Sequence, residues 1–275
     1  MNISDLSVVL TGASGGIGAA TAMALVRNGA RVLLVARSHD RLASLAHGLD
    51  DGAAPGQVEA LAADVTTAQG RADIIALAGV RRVDTLIQCA GTPYFGALEG
   101  ADDARIEDVL ATNLIAPIQL VRALLPELRK QPQARILNVG SALGRLGMPG
   151  FAVYCASKFG LRGFTEALRR ELSGTNVRVQ YIAPRTTRTA FNDARVDAFN
   201  RATGTRSDPP HAVAYAIVRT LRDGAAERAL GFPEKLAARV NGVAPRLLDR
   251  AFNRHRDAMH RGAAPTPSTL SEEHP

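Results

Sequence analysis

Short runs of β-branched and leucine residues alternate along this chain with longer stretches whose apolar positions recur every three or four residues. Runs such as Val32-Leu33-Leu34-Val35 and Ile136-Leu137 are apolar without alternation, as a strand covered on both faces must be. The pattern predicts strands near 6–11, 31–36, 57–62, 83–89, 134–139, 176–182 and 227–231. It predicts helices near 16–28, 39–49, 67–78, 102–129, 152–173, 211–222 and 234–259. Strand and helix in regular alternation point to an α/β fold: a Rossmann-like, doubly wound parallel sheet of about seven strands with helices on both faces, in three layers (α/β/α). Ligands of such sheets sit beyond the carboxyl ends of the strands, so chemistry is sought just after each one.

Residues 1–260 read as a single Rossmann-type domain, and the C-terminal helix expected at 234–259 is amphipathic. Leu236, Val240, Val243, Leu247, Ala251 and Phe252 fall near helical spacing, with Arg239, Arg246, Arg250, Arg254 and Arg256 between them and Pro245 expected to kink the helix. Such a helix has three destinations: its own domain, a sister subunit, or peripheral contact with an anionic membrane surface. The stretch 261–275 is rich in Pro, Ser, Thr and charge and is expected to be a mobile tail. Residues 185–210 read as a long irregular connection, the usual form of a lid or binding loop.

Composition narrows the classes. With 46% hydrophobic and 21% charged residues in 275, the chain can bury one large core. A net charge of +7 raises the question of a polyanionic partner. The arginines are scattered, however, without interleaved aromatics, and Lys130, Lys158 and Lys235 are the only lysines, so no nucleic acid is expected. The opening residues lack a secretion signal, and no uninterrupted apolar run reaches bilayer-spanning length. Cys89 and Cys155 form neither a disulfide framework nor a metal site. The expected setting is the cytoplasm, with peripheral membrane contact as the variant and no metal.

The first candidate for chemistry is Thr11-Gly12-Ala13-Ser14-Gly15-Gly16-Ile17-Gly18, between the first expected strand and the first helix. Glycines let backbone approach a pyrophosphate closely, and the helix N-terminus presents unpaired N–H groups to it. The second is Tyr154 with Lys158, four residues apart at the start of a long helix and so on one face. A neighbouring ammonium is expected to lower the phenol's pKa toward that of a usable acid/base.

The spacing Thr-Gly-x-x-x-Gly-x-Gly, together with Tyr-x-x-x-Lys, resembles the short-chain dehydrogenase/reductase family, and the resemblance covers nearly the whole chain. It implies a single-domain, nicotinamide-dependent oxidoreductase interconverting a carbonyl and an alcohol, with a homodimer or homotetramer formed through the helices that carry Asn113 and Tyr154. It implies Ser141, thirteen residues before Tyr154, as the group orienting the substrate oxygen. Asn113 is implied as the holder of a local helix distortion and of a water linked to Lys158, completing the catalytic set. On the cofactor side the resemblance carries over Gly12, Ser14, Gly16, Ile17, Gly18, Asp64, Val65, Cys89, Ala90, Gly91, Pro184, Thr187 and Thr189, with Tyr154 and Lys158 at the nicotinamide ribose.

After the second strand, where a carboxylate would hold the ribose of NAD(H), the chain has Ala36-Arg37. A guanidinium there clamps a 2′-phosphate, so NADP(H) is expected over NAD(H). Three departures from the family pattern stand out. Gln88-Cys89 replaces Asn-Asn after the fourth strand, so the bracing amide is expected to be lost and Cys89 to be a small buried filler. Arg185 replaces a glycine beside the nicotinamide and is expected to turn outward; turned inward, it would meet an anionic substrate group or a carrier phosphate. Gly140 replaces a common serine, with little consequence expected. Thr92, Tyr94, Phe95, Leu143, Leu146, Met148, Phe151 and Phe191 are the candidate pocket residues, favouring a bulky apolar substrate: 3-oxoacyl (including a carrier-bound acyl group), polyketide-like, steroid-like or an aryl ketone. The competing reading is a non-catalytic NADP(H)-binding or sensing protein on the same fold. A sugar-nucleotide epimerase would need a larger C-terminal domain.

Overall fold

In the computed structural model, residues 2–50 and 52–262 are described. The predicted alternation is present: β1 (Ser7–Thr11), α1 (Gly16–Arg27), β2 (Arg31–Ala36), α2 (His39–Asp50), β3 (Val58–Ala62), α3 (Ala68–Val80) and β4 (Thr85–Gln88). There follow α4 (Asp103–Leu110), a π-helical turn (Ala111–Ile115), α5 (Ala116–Arg129), β5 (Ala134–Val139), α6 (Ala152–Glu171) and β6 (Val177–Ala183). The described chain closes with α7 (Ala194–Thr203), α8 (Pro210–Asp223), β7 (Glu227–Ala229), α9 (Phe232–Val243), α10 (Arg246–Asp249) and α11 (Asn253–Gly262).

The strands form a parallel seven-stranded sheet in the order β3-β2-β1-β4-β5-β6-β7. Successive side chains of one strand serve opposite cores. Val8, Leu10, Val32, Leu34 and Ile87 pack with Leu25 of α1 and Ile217 of α8. Val9, Leu33, Val35 and Leu86 pack with Ile74 of α3 and Leu120 and Leu124 of α5. That two-sided burial is why the central strands lack alternation; β3, at the edge, is only partly buried. Strand order reverses between β1 and β4, which opens the crevice at their carboxyl ends.

Two expectations need correction. The connection 185–210 contains a helix, α7, capped by the Asp193 carboxylate accepting from Val196 N–H at 2.8 Å and closed by Gly204 at φ +71°. The C-terminal helix is broken rather than kinked: it leaves helical geometry at Ala244, before Pro245, and resumes as two shorter pieces. Helix Asp103–Arg129 is long and apolar enough, by length and composition, to cross a membrane, although its apolar run is interrupted by polar residues such as Asn113 and Arg122. Here Leu120, Val121, Leu124 and Leu128 bury its inner face in the sheet core. The tail expected from residue 261 lies outside the described residues from 263 onward.

Candidate active site

A large cleft of about 1150 Å³ runs across the carboxyl ends of the strands. One end is the phosphate turn, where the glycines are steric necessities. A Cβ on Gly12 (φ +67°) would lie 2.6 Å from Ala90 N, and one on Gly18 would lie 2.1 Å from Gly12 O. A Cβ on Gly16 would strike the Thr189 methyl at 2.4 Å, so the glycine lets the lid segment close on the turn. Thr11 Oγ1 accepts from Cys89 and Ala90 N–H, tying the end of β4 to the same turn. With no acidic residue in the first turn of α1, this cradle fits a dinucleotide pyrophosphate.

Gly12, Ser14, Gly16, Ile17, Gly18, Arg37, Asp64, Val65, Cys89, Ala90, Gly91, Pro184, Thr187 and Thr189 all line the cleft. Asp64 Oδ1 is engaged by Thr66, accepting from its N–H at 2.8 Å and its hydroxyl at 2.7 Å. Arg41, passed over in the sequence, lines the cleft as Arg37 does, and its guanidinium donates to Ser14 O at 3.0 Å. Its signal was available, a second cation one helical turn beyond Arg37 in the first turn of α2.

Gln88 keeps an amide bracing the neighbouring strands. Gln88 Nε2 donates to Asn138 Oδ1 at 2.9 Å and to Pro117 O at 3.2 Å, and Asn138 Nδ2 donates to Thr165 at 2.8 Å, so one amide chain spans β4, β5 and α6. Cys89 is half-buried, its thiol pushed up to about 12 by desolvation against a smaller opposing effect of Lys158. Burial thus disfavours its thiolate, the nucleophilic form.

At mid-cleft stand Ser141, at the end of β5, and Tyr154 and Lys158, on the first turns of α6. Lys158 Nζ lies 5.7 Å from the Tyr154 ring centroid and donates to Val139 O at 3.4 Å. The electrostatics differ from the sequence expectation. Desolvation pushes the Tyr154 phenol well above its ordinary value, and the hydrogen bond with the Ser141 side chain recovers only part of the rise. The same burial lowers Lys158 to about 8. Burial thus favours the protonated form of Tyr154.

Asn113 is wholly buried in the π-helical turn, its Oδ1 accepting from Thr92 N–H at 2.7 Å and its Nδ2 donating to Thr92 O at 2.9 Å and Ser157 Oγ at 3.2 Å. It clamps the segment after β4 beneath the cleft. Thr92, expected in the pocket, is buried under this clamp instead.

A side chain missed entirely is Tyr181 of β6, 1% exposed, whose hydroxyl accepts from Ser141 N–H at 3.3 Å. A Cβ on Gly140 would lie 1.9 Å from that hydroxyl and one on Gly144 2.5 Å from it. The absent serine at position 140 thus has a cause: the Tyr181 ring occupies the space and backs the Ser141 loop. Only the pairing of β5 with β6 makes this visible.

The cleft is also lined by Tyr94, Phe95, Leu143, Met148, Phe151 and Phe191, as expected. Phe95 and Phe151 stack at 4.9 Å between centroids, and Phe199 of α7 completes the cluster at 5.1 and 5.6 Å. Phe199, Leu248, Phe252 and His255 were not foreseen, because they come from α7 and the C-terminal pieces. Arg185 takes neither anticipated course. It lines the cleft, but its guanidinium is spent on Asp208 at 2.6 Å and Glu234 at 3.9 Å, joining the lid to α9. An anionic substrate group would find it already neutralised.

Because Lys158 is ionised at the expense of burial below about pH 8, Lys158→Met should raise thermal stability near pH 7 while abolishing activity. Folding lowers this pKa, so the wild type regains stability as pH rises from about 8 toward the unfolded value of 10.5, and the advantage of the variant should shrink across that window. Melting curves of the pair at pH 7 and pH 10 check the sign.

A dinucleotide cradle at the switch point of a doubly wound sheet, with a serine, tyrosine and lysine at mid-cleft, defines a nucleotide-dependent oxidoreductase acting on CH–OH groups. The chain belongs to the short chain dehydrogenase family, whose sequence pattern matches residues 7–199. It is 32% identical over 256 residues to a ketoacyl reductase from Nostoc sp., covering 90% of this chain and 88% of that protein. Among solved structures it is similar to an actinorhodin polyketide ketoreductase with NADPH (28% identity, TM-score 0.74, covering 83% of this chain and 97% of that one). It is also similar to a short chain dehydrogenase from Burkholderia cenocepacia in complex with NADP (25% identity, TM-score 0.78, 92% and 99%).

Proposed function

We propose that this protein is an NADP(H)-dependent reductase of a bulky, apolar ketone, with Tyr154 as the proton donor. The observation that carries it is the juxtaposition of Ser141, Tyr154 and Lys158 with an aromatic chamber inside one cleft. The bound nicotinamide would supply the hydride. Tyr154 hands its proton to the oxygen that becomes the alcohol; Ser141 orients that oxygen; Lys158 offsets charge on the phenolate left behind. The ketoacyl and polyketide reductases among the similar proteins support a 3-oxoacyl or polyketide-like substrate, free or carrier-bound.

NADP(H) preference rests on Arg37 and Arg41 at the cleft mouth, with no carboxylate at the end of β2. Arg37→Asp should raise KM for NADPH about 30-fold or more relative to KM for NADH, since it removes a phosphate-pairing cation and adds a repelling charge. The decisive assay follows NADPH and NADH oxidation against a panel of aryl ketones and 3-oxoacyl thioesters. Turnover confined to small polar carbonyls, or faster with NADH, would overturn the reading. We further infer a single cytoplasmic catalytic unit across residues 1–260. It would assemble as a homodimer or homotetramer through the helices carrying Asn113 and Tyr154, where Ile115 and Phe159 leave apolar side chains exposed.

A further inference from the structure

Helices α9 and α10 have two unlike faces. The inner one is pinned: Asn241 Nδ2 donates to Arg145 O at 3.0 Å, Glu234 faces Arg185, and Ala237 and Leu248 line the cleft. The outer one carries Phe232, Leu236, Val243 and Leu247, exposed by 78%, 55%, 89% and 72%. Residues 232, 236 and 243 are four and seven apart, so they share one helical face. Folding has left these four apolar side chains unburied. Tyr215 of α8, 66% exposed, continues the patch across the shallow depression it lines with Gly231 and Lys235.

Lys235, Arg239, Arg246 and Arg250 are exposed around these apolar side chains. Of the carboxylates in the segment, Glu234 is turned inward to Arg185, leaving Asp249 as the exposed one. We propose that the outer face of α9 and α10 docks on an anionic lipid surface, the apolar side chains entering the interface and the four cations meeting headgroups. A second copy of the chain is the alternative occupant, but a two-fold pairing of this face would set its cations against their own kind. A lipid surface satisfies both halves of the pattern, burying the apolar residues and supplying the opposite charge.

The test is cosedimentation of the full chain with vesicles of phosphatidylcholine alone and of equimolar phosphatidylcholine and phosphatidylglycerol. The protein should pellet with the mixed vesicles, far less with neutral ones, and less at high salt. Arg239→Glu with Arg246→Glu should weaken partitioning about twentyfold or more. Val243→Asp with Leu247→Asp should abolish it while leaving the melting temperature and NADPH affinity unchanged, because both side chains are already in solvent. Failure of the wild type to prefer anionic vesicles would overturn the proposal. So would a smaller assembly by light scattering in the Asp pair than in the wild type without vesicles, which would assign the face to a second copy.

Discussion

Tyr154→Phe is expected to lower kcat by about a thousandfold or more while NADPH affinity stays within about twofold. The substitution removes one oxygen and keeps the ring, so the edge contact with Phe191 at 6.1 Å and the packing of α6 survive. What disappears is the mid-cleft hydroxyl poised to release a proton as charge builds on the substrate oxygen. Ser141 cannot replace it, since its Oγ is an acceptor for Leu143 N–H at 3.1 Å and a serine hydroxyl is a far weaker acid than a phenol. Fluorescence titration with NADPH separates binding from turnover. A Tyr154→Phe enzyme retaining a tenth of wild-type kcat would remove Tyr154 from the reaction.

The second large effect is expected at a residue the sequence had set aside. Gly140→Ala puts a methyl 1.9 Å from Tyr181 Oη and 2.0 Å from Cζ, and that ring is enclosed in the core. Either the ring or the Ser141 loop must shift. Overpacking of this kind costs about 1–3 kcal/mol of stability. A shift of the loop by a few tenths of an ångström moves Ser141 relative to Tyr154, so kcat should fall about tenfold to a hundredfold with KM for NADPH little changed. If the ring is the cause, Gly140→Ala combined with Tyr181→Ala should recover activity over Gly140→Ala alone. No recovery, or no effect of Gly140→Ala, would mean the loop does not depend on that contact.

Much of the site was legible because its signals are local. The phosphate turn lies within eight consecutive residues bounded by a strand and a helix, and Tyr154 and Lys158 are one helical turn apart. Helix α7 was legible too and was missed: Asp193 ahead of Val196 and Gly204 after Thr203 are cap signals at a helix-length interval. By contrast, nothing near Tyr181 in sequence announces Ser141, forty residues away, and Phe199 and His255 meet across 5.9 Å only because α11 packs against α7. The burial that raises the Tyr154 pKa is likewise absent from the sequence, where spacing shows only that a lysine is near.

By itself, then, the chain's pattern determined the alternating elements, the two-sided sheet and the position of the switch-point crevice, since each follows from side-chain periodicity and right-handed connection. The tertiary structure alone decided which arginine carboxylates neutralise, which ring backs the serine loop, and which helices wall the far end of the cleft. Those outcomes depend on distances between elements and on how much water each group loses. No run of neighbouring residues encodes either quantity.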